Sequence, residues 1–403
     1  MRSRLDAGAI RVIRVIRKLA FKTWMRSKPG MPRTTIRLAQ TIDAAAIADI
    51  YRPAVVDRAT SFELEPPDAV EMSRRIASCL EKLPWVVAVE DDHVIGYAYA
   101  SAHRTRAAYQ WSVEVSAYVD EGAQRSGVGR RLYDTLFRVL VLQGYRNAYA
   151  GITVPNEASE GFHRALGFTP VGTFRGVGYK RGAWHDVLWL ERPLAPRDPA
   201  PAPTFPLELL AGSPLLGAAL AGAPTPRFRQ ATPADVTAIR ALIDVSVRGL
   251  SEPLYSRQQI DSALRYLFGP DSQLIADGTY YVADVGGEVI ASGGWSRRQT
   301  LHGGDQFKHG EDPFIDPRHE PARLRAFFVD PRWARRGIGR LLFYECSTAA
   351  RAAGFHELEL TATLPGEQLY TTLGFTVVER GAVTMPDGVE LPTARMRRSL
   401  AAT

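Results

Sequence analysis

Two stretches of this sequence, Gln124-Arg125-Ser126-Gly127-Val128-Gly129-Arg130 and Arg335-Arg336-Gly337-Ile338-Gly339-Arg340, place paired glycines directly ahead of an amphipathic helical pattern. Glycine lets backbone N–H groups approach a ligand closely. A helix start adds unsatisfied N–H groups and the positive end of the helix dipole. The combination suits a diphosphate, and Arg125, Arg130, Arg335 and Arg336 add positive charge. One such glycine pair often only tightens a turn. Two copies, each following a strand pattern and preceding a helical one, point to a repeated anion site.

Groups able to move protons lie close by in sequence. Glu114 sits in the alternating run WSVEVSAYV, between Val113 and Val115. Apolar surroundings would raise its pKa and make it a proton acceptor; the other reading is an outward-facing carboxylate paired with an arginine. His163, in FHRALGF, is either a proton shuttle near neutral pH or a packing histidine in a helix. The loop HRTRAAY carries Arg104 and Arg106, whose planar forks suit carboxylate or phosphinate oxygens. Asn156, ahead of Glu-Ala-Ser, is a helix N-cap candidate. Between Ser296 and Pro321 lie His302, Asp305, His309, Asp312, Asp316 and His319. Their spacing matches no metal-ligand pattern, so a polar substrate-covering loop is expected and no metal.

Elements that could hold these groups appear twice. IRLAQTIDAAAI from Ile36 parallels FRQATPADVTAI from Phe228. AYVDEGAQRSGVGRRL from Ala117 parallels FFVDPRWARRGIGRLL from Phe327, and FHRALGF from Phe162 parallels LYTTLGF from Leu369. Three landmarks in one order indicate duplication. Each half opens with a short strand and a helix. Strand-type runs follow, WVVAVE and VIGYAYA in one half, YYVADV and VIASGGW in the other. Asp91-Asp92 and Gly286-Gly287 read as hairpin turns. The expected class is α/β, an α+β mixed sheet in each of two tandem domains. The expected limits are a basic extension 1–33, a first domain 34–192, a linker 193–226 and a second domain 227–403.

The linker holds nine prolines and three charges in 34 residues and reads as a semi-stiff spacer or an ordered patch on a domain. Its apolar run Leu209–Ala223 is too short to span a membrane and is interrupted by Pro214. The net charge of +7 would by itself invite a nucleic-acid reading. Residues 1–30, however, contain nine Lys/Arg and one acid, Asp6, so the rest of the chain is close to neutral. No nucleic-acid partner is expected. The basic segment reads as an over-extended start before Met31, a surface helix spanning Ile10 to Trp24, or a targeting segment. Cys79 and Cys346 are far apart with no CxxC, which implies a reducing, cytoplasmic setting.

QRSGVG and RRGIG resemble the Q/R-x-x-G-x-G/A loop of the GNAT superfamily of acyl-CoA N-acyltransferases, and HRALGF and YTTLGF resemble its later helix and closing strand. The first half resembles phosphinothricin N-acetyltransferases through TSFELEP, PWVVAVEDDHVIGYAYA, RAAYQWSVEVSAYV, VPNEAS and GYKRGAWHDV. The resemblance implies acetyl-CoA as co-substrate and acetylation of the amino group of a small amino acid or analogue of the phosphinothricin or methionine sulfoximine/sulfone type. It implies Glu114 as base, His163 and Tyr370 as leaving-group acids, and an oxyanion donor among the backbone N–H groups near Val119. Coenzyme contacts would come from Val119, Gln124 to Arg130, Asn156, Val329 and Arg335 to Arg340. Substrate contacts would come from Phe62, Arg104, Arg106, Tyr109 and Tyr118.

The second half departs from that pattern. Ala334 stands at the usual Gln/Arg position, and alignment on the loop sets Leu324 opposite Glu114. Glu320, Glu357 and Glu359 are substitute bases among which the sequence does not choose. The alternatives are acylation of a different amine by the second domain, or a non-catalytic acyl-CoA-binding regulatory module. The two domains pair with each other, or two chains pair as a homodimer; the sequence leaves both open.

Overall fold

The computed structural model describes residues 34–199, 201–308 and 312–400. The basic segment from Ile10 to Trp24, and His309, lie outside these residues. The first domain runs β1 (Thr35–Leu38), α1 (Ala44–Val56), α2 (Ala69–Lys82), β2 (Trp85–Glu90), β3 (His93–Ala102), β4 (Ser112–Val119), α3 (Val128–Leu142), β5 (Asn147–Val154), α4 (Glu157–Ala165), β6 (Thr169–Lys180) and β7 (Ala183–Pro193). Its sheet order is β1-β2-β3-β4-β5-β7-β6.

The linker contributes α5 (Leu207–Leu210) and α6 (Pro214–Ala221). The second domain repeats the plan with β8 (Arg227–Gln230), α7 (Val236–Ser251), α8 (Arg257–Tyr266), α9 (Ser272–Ala276), β9 (Tyr280–Val285), β10 (Glu288–Ser296), β11 (Ala322–Val329), α10 (Ile338–Ala352), β12 (Glu357–Thr363), α11 (Leu364–Thr372), β13 (Thr376–Thr384) and β14 (Glu390–Ser399). Its order, β8-β9-β10-β11-β12-β14-β13, is that of the first sheet. The duplication extends to detail. Arg37 grips Asp43 ahead of α1 at 2.7 and 2.8 Å, and Arg229 grips Asp235 ahead of α7 at the same two distances. Asp91, Asp92, Gly286 and Gly287 all have positive φ, as two-residue hairpin turns require.

One face of the first sheet packs on α3, burying Val113, Val115, Leu132, Leu136 and Leu140. The other packs on α1 and α2 through Ile47, Met72, Ile76, Trp85 and Tyr97. In both sheets the central parallel pair separates early. β4 and β5 are paired only from Ser112↔Asn147 to Glu114↔Tyr149, and β11 and β12 only at Ala322↔Leu358 and Arg323↔Glu359. Beyond those residues each sheet holds a gap that leads to the glycine loop.

The proline-rich segment does not extend between the domains as a spacer; it folds against both. Phe205, Leu207, Leu210, Leu215 and Leu216 share one core with Val139 and Leu142 of α3 and with Phe228, Phe343 and Cys346 of the second domain. Trp111 donates to Ala202 O at 2.7 Å, and Gln143 donates to Phe205 O at 2.7 Å. Asp198 accepts from Arg146 of the first domain and from Arg227 of the second. Proline supplies the segment's extended bends, and its leucines need apolar cover, so the sequence favours docking over a solvated linker. Among the described residues no helix is long and apolar enough to cross a membrane, and no His/Cys/Asp/Glu group is arranged to hold a metal.

Candidate active site

In the first loop Arg125 has φ 60° and Gly127 φ 86°, and no side chain caps the start of α3. A Cβ at Gly127 would meet nothing within 4 Å, so open space lies over the exposed amides of the first helical turn. Ser126 Oγ donates to Ala123 O at 2.6 Å and Gln124 Nε2 to Val119 O at 3.5 Å, which fixes the loop from within. Val128 is buried beneath it. Arg130 donates to Ala165 O at 3.0 Å, and a Cβ at Gly129 would lie 3.2 Å from the Phe162 ring, so α3 and α4 meet closely here. Asn156 Oδ1 accepts the Ser159 N–H at 3.1 Å as the N-cap of α4.

The gap has backbone donors of its own. Asp120 N–H donates to Ile95 O at 3.0 Å. Alternation along an antiparallel pair then directs the N–H groups of Tyr118 and Ser116 to β3, and those of Ala117 and Val119 away from it, into the gap.

Glu114 lies where β4 and β5 part. Val113 and Val115 are buried on the α3 face, and Glu114 projects from the other. The apolar surroundings expected from its neighbours in sequence are therefore not around its carboxylate, because alternate strand residues face opposite sides. Its side chain is 31% exposed, His103 Nδ1 lies 3.1 Å from Oε1, and Arg104 Nη1 lies 3.4 Å from the same oxygen. His103 stacks on Tyr149 with centroids 4.4 Å apart, and Tyr109 meets its edge at 5.9 Å. Arg104 and Tyr109 thus gather around Glu114, whereas Arg106 stays exposed at the start of the turn Ala107–Tyr109. Beside Ser101, the cross-strand partner of Glu114, a cavity of about 410 Å³ runs between α2 and the sheet, walled by Trp85, Tyr97, Tyr99 and Arg75. Cys79 lines it with its thiol pushed up to about 12 by burial.

Phe62 and Tyr118 lie further along the same face. A Cβ at Gly178 would fall 2.4 Å from the Phe62 ring, so that ring rests directly on the β6 backbone. Its loop is fixed by Tyr51, which donates to Glu63 at 2.9 Å, and by the buried Lys180, which donates to Val55 O and Ser61 O at 2.6 and 2.7 Å. Tyr118 stacks on Tyr97 at 5.3 Å and meets Tyr51 edge-on at 4.9 Å. His163 is 7% exposed. Its Nδ1–H donates to Ser159 O at 2.8 Å, which leaves Nε2 to accept from Tyr133 OH at 3.2 Å. Burial lowers its pKa.

The second domain keeps the loop and changes the gap. Arg335 and Gly337 have φ 62° and 94°. Arg335 donates to Gln368 at 2.7 Å, and Arg336 covers the Trp333 ring at 4.8 Å. Ile338 is buried, a Cβ at Gly339 would lie 3.0 Å from Leu369, and Arg340 N–H donates to Gly337 O at 3.1 Å. The linker's Ser213 would lie 3.6 Å from a Cβ at Gly337.

A bulge between Ser292 and Gly294 gives β11 one extra residue, and Ala326 there has φ 56°. This moves the counterpart of Glu114 from Leu324 to Arg323, which pairs with Ser296 and Glu359 as Glu114 pairs with Ser101 and Tyr149. Glu359 is clamped by Arg323, Arg395 and Arg397, Glu320 lies 3.7 Å from Arg323, and Glu357 is exposed at the start of β12. The Val329 N–H, equivalent to that of Val119, donates to Ser246 Oγ at 3.1 Å. Tyr370 is 9% exposed against Phe327 and Phe375, and burial pushes its phenol up.

His103, Ser246 and Arg323 are the site residues that sequence reasoning missed. His103 could have been found as the residue two beyond Ser101, on the face that Glu114 uses. The bulge left no such signal.

The acetyltransferase (GNAT) domain profile matches residues 36–189, and a second GNAT acetyltransferase profile matches 314–397. Phosphinothricin N-acetyltransferase of Streptomyces viridochromogenes is 38% identical over 173 residues, covering 43% of this chain and 92% of that protein. The L-methionine sulfoximine/L-methionine sulfone acetyltransferase of Salmonella typhimurium is 34% identical over 161 residues, covering 39% and 92%. A solved phosphinothricin acetyltransferase from Sinorhizobium meliloti, in complex with AcCoA, is 37% identical over 42% of this chain and 93% of its own, with a TM-score of 0.40. With two profile matches and two sheets of one topology, the chain belongs to the GNAT acetyltransferase family as a tandem of two such domains.

Proposed function

We propose that the first domain transfers the acetyl group of acetyl-CoA to the amino group of a small amino acid or analogue, of the phosphinothricin or methionine sulfoximine/sulfone type. The observation that carries this reading is the open β4–β5 gap, with Glu114 at its start and backbone N–H groups turned into it. The loop fits the diphosphate of the co-substrate: the amides at the start of α3 lack a side-chain cap, and space lies open over Gly127. Arg125 and Arg130 add charge there.

In this reading Glu114 accepts the proton of the acceptor's ammonium, because only the free amine is nucleophilic. His103 and Arg104 orient its carboxylate, and Arg104 and Arg106 attract the acceptor's anionic groups. The N–H groups of Ala117 and Val119 donate to the oxygen that becomes anionic. His163, with both ring nitrogens engaged, holds α4 on α3 and so shapes the wall of the gap. The acceptors for which the related phosphinothricin and methionine sulfoximine/sulfone acetyltransferases are named support the acceptor class. Free thiols at Cys79 and Cys346 agree with a cytoplasmic setting.

The second domain is read as a non-catalytic partner, because an arginine stands at the base position and Ser246 occupies the gap's N–H. Thiol release from acetyl-CoA with phosphinothricin and methionine sulfone tests the proposal. No release with either, in a folded chain, would falsify the acceptor class.

A further inference from the structure

The recess beside Glu114 has no part in the proton chemistry, yet it begins at the same place. Ser101 and Glu114 are cross-strand partners, so their side chains leave the sheet on one face with Cβ atoms about 5 Å apart. Tyr99 and Tyr97 follow on that face at alternate positions of β3, and Trp85 of β2 pairs with Tyr99. Ser101, Tyr99, Tyr97 and Trp85 all line the cavity of about 410 Å³, and Ser78 and Cys79 of α2 line it as well. A largely apolar cleft of this size, with a few polar groups, is the usual form of a small-molecule site.

One polar atom of this lining is unused. Trp85 is 4% exposed, and its Nε1 is buried without a hydrogen-bond partner among the described residues. An indole nitrogen only donates, so what it lacks is an acceptor, and a buried N–H without one is costly. The ring is held in place by stacking on Tyr99 at 4.4 Å and on Tyr97 at 5.6 Å. The Cys79 thiol is already spent on Leu83 O and Ala100 O. The charged groups of the lining, Arg74 and Arg75, are matched by two carboxylates. Arg75 donates to Glu63 at 2.8 and 3.0 Å and to Glu71 at 2.7 Å, and Arg74 donates to Glu71 at 2.8 Å. The lining thus offers an unused donor and no unmatched charge.

We infer that this recess takes the side chain of the amino acid whose amine Glu114 deprotonates, and that it selects a neutral side chain, apolar along its length, with an acceptor oxygen for Trp85 Nε1–H. The inference rests on the acetylation proposed for the first domain. A sulfone or sulfoximine meets the requirement. A phosphinate would bring a negative charge to a wall whose two arginines are already matched, and a thioether offers only a weak acceptor. The α-carboxylate is left to Arg104 and Arg106, which do not line the recess.

Thiol release by the full chain should favour methionine sulfone over both phosphinothricin and methionine by at least about tenfold in kcat/KM. Trp85→Phe keeps a stacking ring and removes the N–H. It should erase most of the preference over methionine and leave KM for acetyl-CoA unchanged. Ser78→Trp fills the recess from an exposed position of α2, so it does not disturb the core. It should raise KM for methionine sulfone at least about tenfold. In the unmutated chain, methionine sulfone should shift an indole N–H resonance whether or not it is acetylated. A shift without thiol release would keep the recess as a binding site and overturn the acetylation reading. Equal use of all three amino acids, a preference that survives both substitutions, or an unmoved indole resonance during thiol release would overturn the role of the recess and leave acetylation standing.

Discussion

Ser246 Oγ accepts the Val329 N–H at 3.1 Å, and the residue eleven places beyond the ion-paired aspartate in the first domain is Ala54, which offers no such acceptor. One hydroxyl thus separates the two gaps: the Val329 N–H is used by the fold, and no matching hydroxyl stands at Ala54 to take the Val119 N–H. Together with Arg323 at the position that matches Glu114, this is the difference behind our proposal that the first domain acetylates the amine.

Thiol release by the whole chain should therefore depend on Glu114. Glu114→Gln keeps the shape and removes the proton acceptor, and the expected loss in kcat/KM is about 10²- to 10⁴-fold. No second activity from residues 227–400 should remain beneath it. Ser246→Ala should not restore one, because Arg323 stays in place. A residual acetylation of the same amine that tracks substitutions in Arg335 or Tyr370 would show the second domain to be active.

Gly178→Ala should act at a distance from the proton chemistry. The new methyl group would collide with Phe62, whose loop cannot yield freely because Lys180 and Tyr51 fix it. Displacing that ring should raise KM for the acceptor by about tenfold, the scale of a modest change in an apolar contact. KM for acetyl-CoA should stay unchanged. Equal effects on both substrates would place Phe62 outside the acceptor site.

Phe205 tests the role of the proline-rich segment. It is 1% exposed and meets Phe228 at 5.2 Å and Tyr344 at 5.7 Å. Phe205→Ala should cost about 3–5 kcal/mol and lower the unfolding midpoint of both domains together. A loosely attached spacer would give a change within about 0.5 kcal/mol.

Acid stability should carry the signature of the aspartate ahead of α7. The hydrogen bonds from Arg229 hold the Asp235 carboxyl at about 2 in the folded chain. Its folded pKa lies below its unfolded one, so its contribution is complete above about pH 4 and is lost as the pH falls toward 2. Asp235→Asn should cost on the order of 2 kcal/mol at pH 6. Denaturant titrations of the two proteins should converge as the pH falls through that window; a gap independent of pH would assign the loss to packing instead.

Much of this molecule is local and was legible in the residues. The two glycine loops, the hairpin turns at Asp91-Asp92 and Gly286-Gly287, the N-cap at Asn156 and the order of strands and helices depend on neighbours within a few positions, so composition and period report them. The duplication was legible for the same reason, because its landmarks are short motifs. Tertiary structure decided the rest. Strand pleating turned Glu114 away from the valines beside it and toward His103 and Arg104. A bulge of one residue put Arg323 where counting along the chain had set Leu324, because a slip of one reverses every side chain on a strand. The leucines and Phe205 of the linker found cover only once both domains were present, and the meeting of Ser246 with Val329 joins residues 83 positions apart. Local spacing carries no record of such contacts, since they arise only when distant apolar faces close on one another.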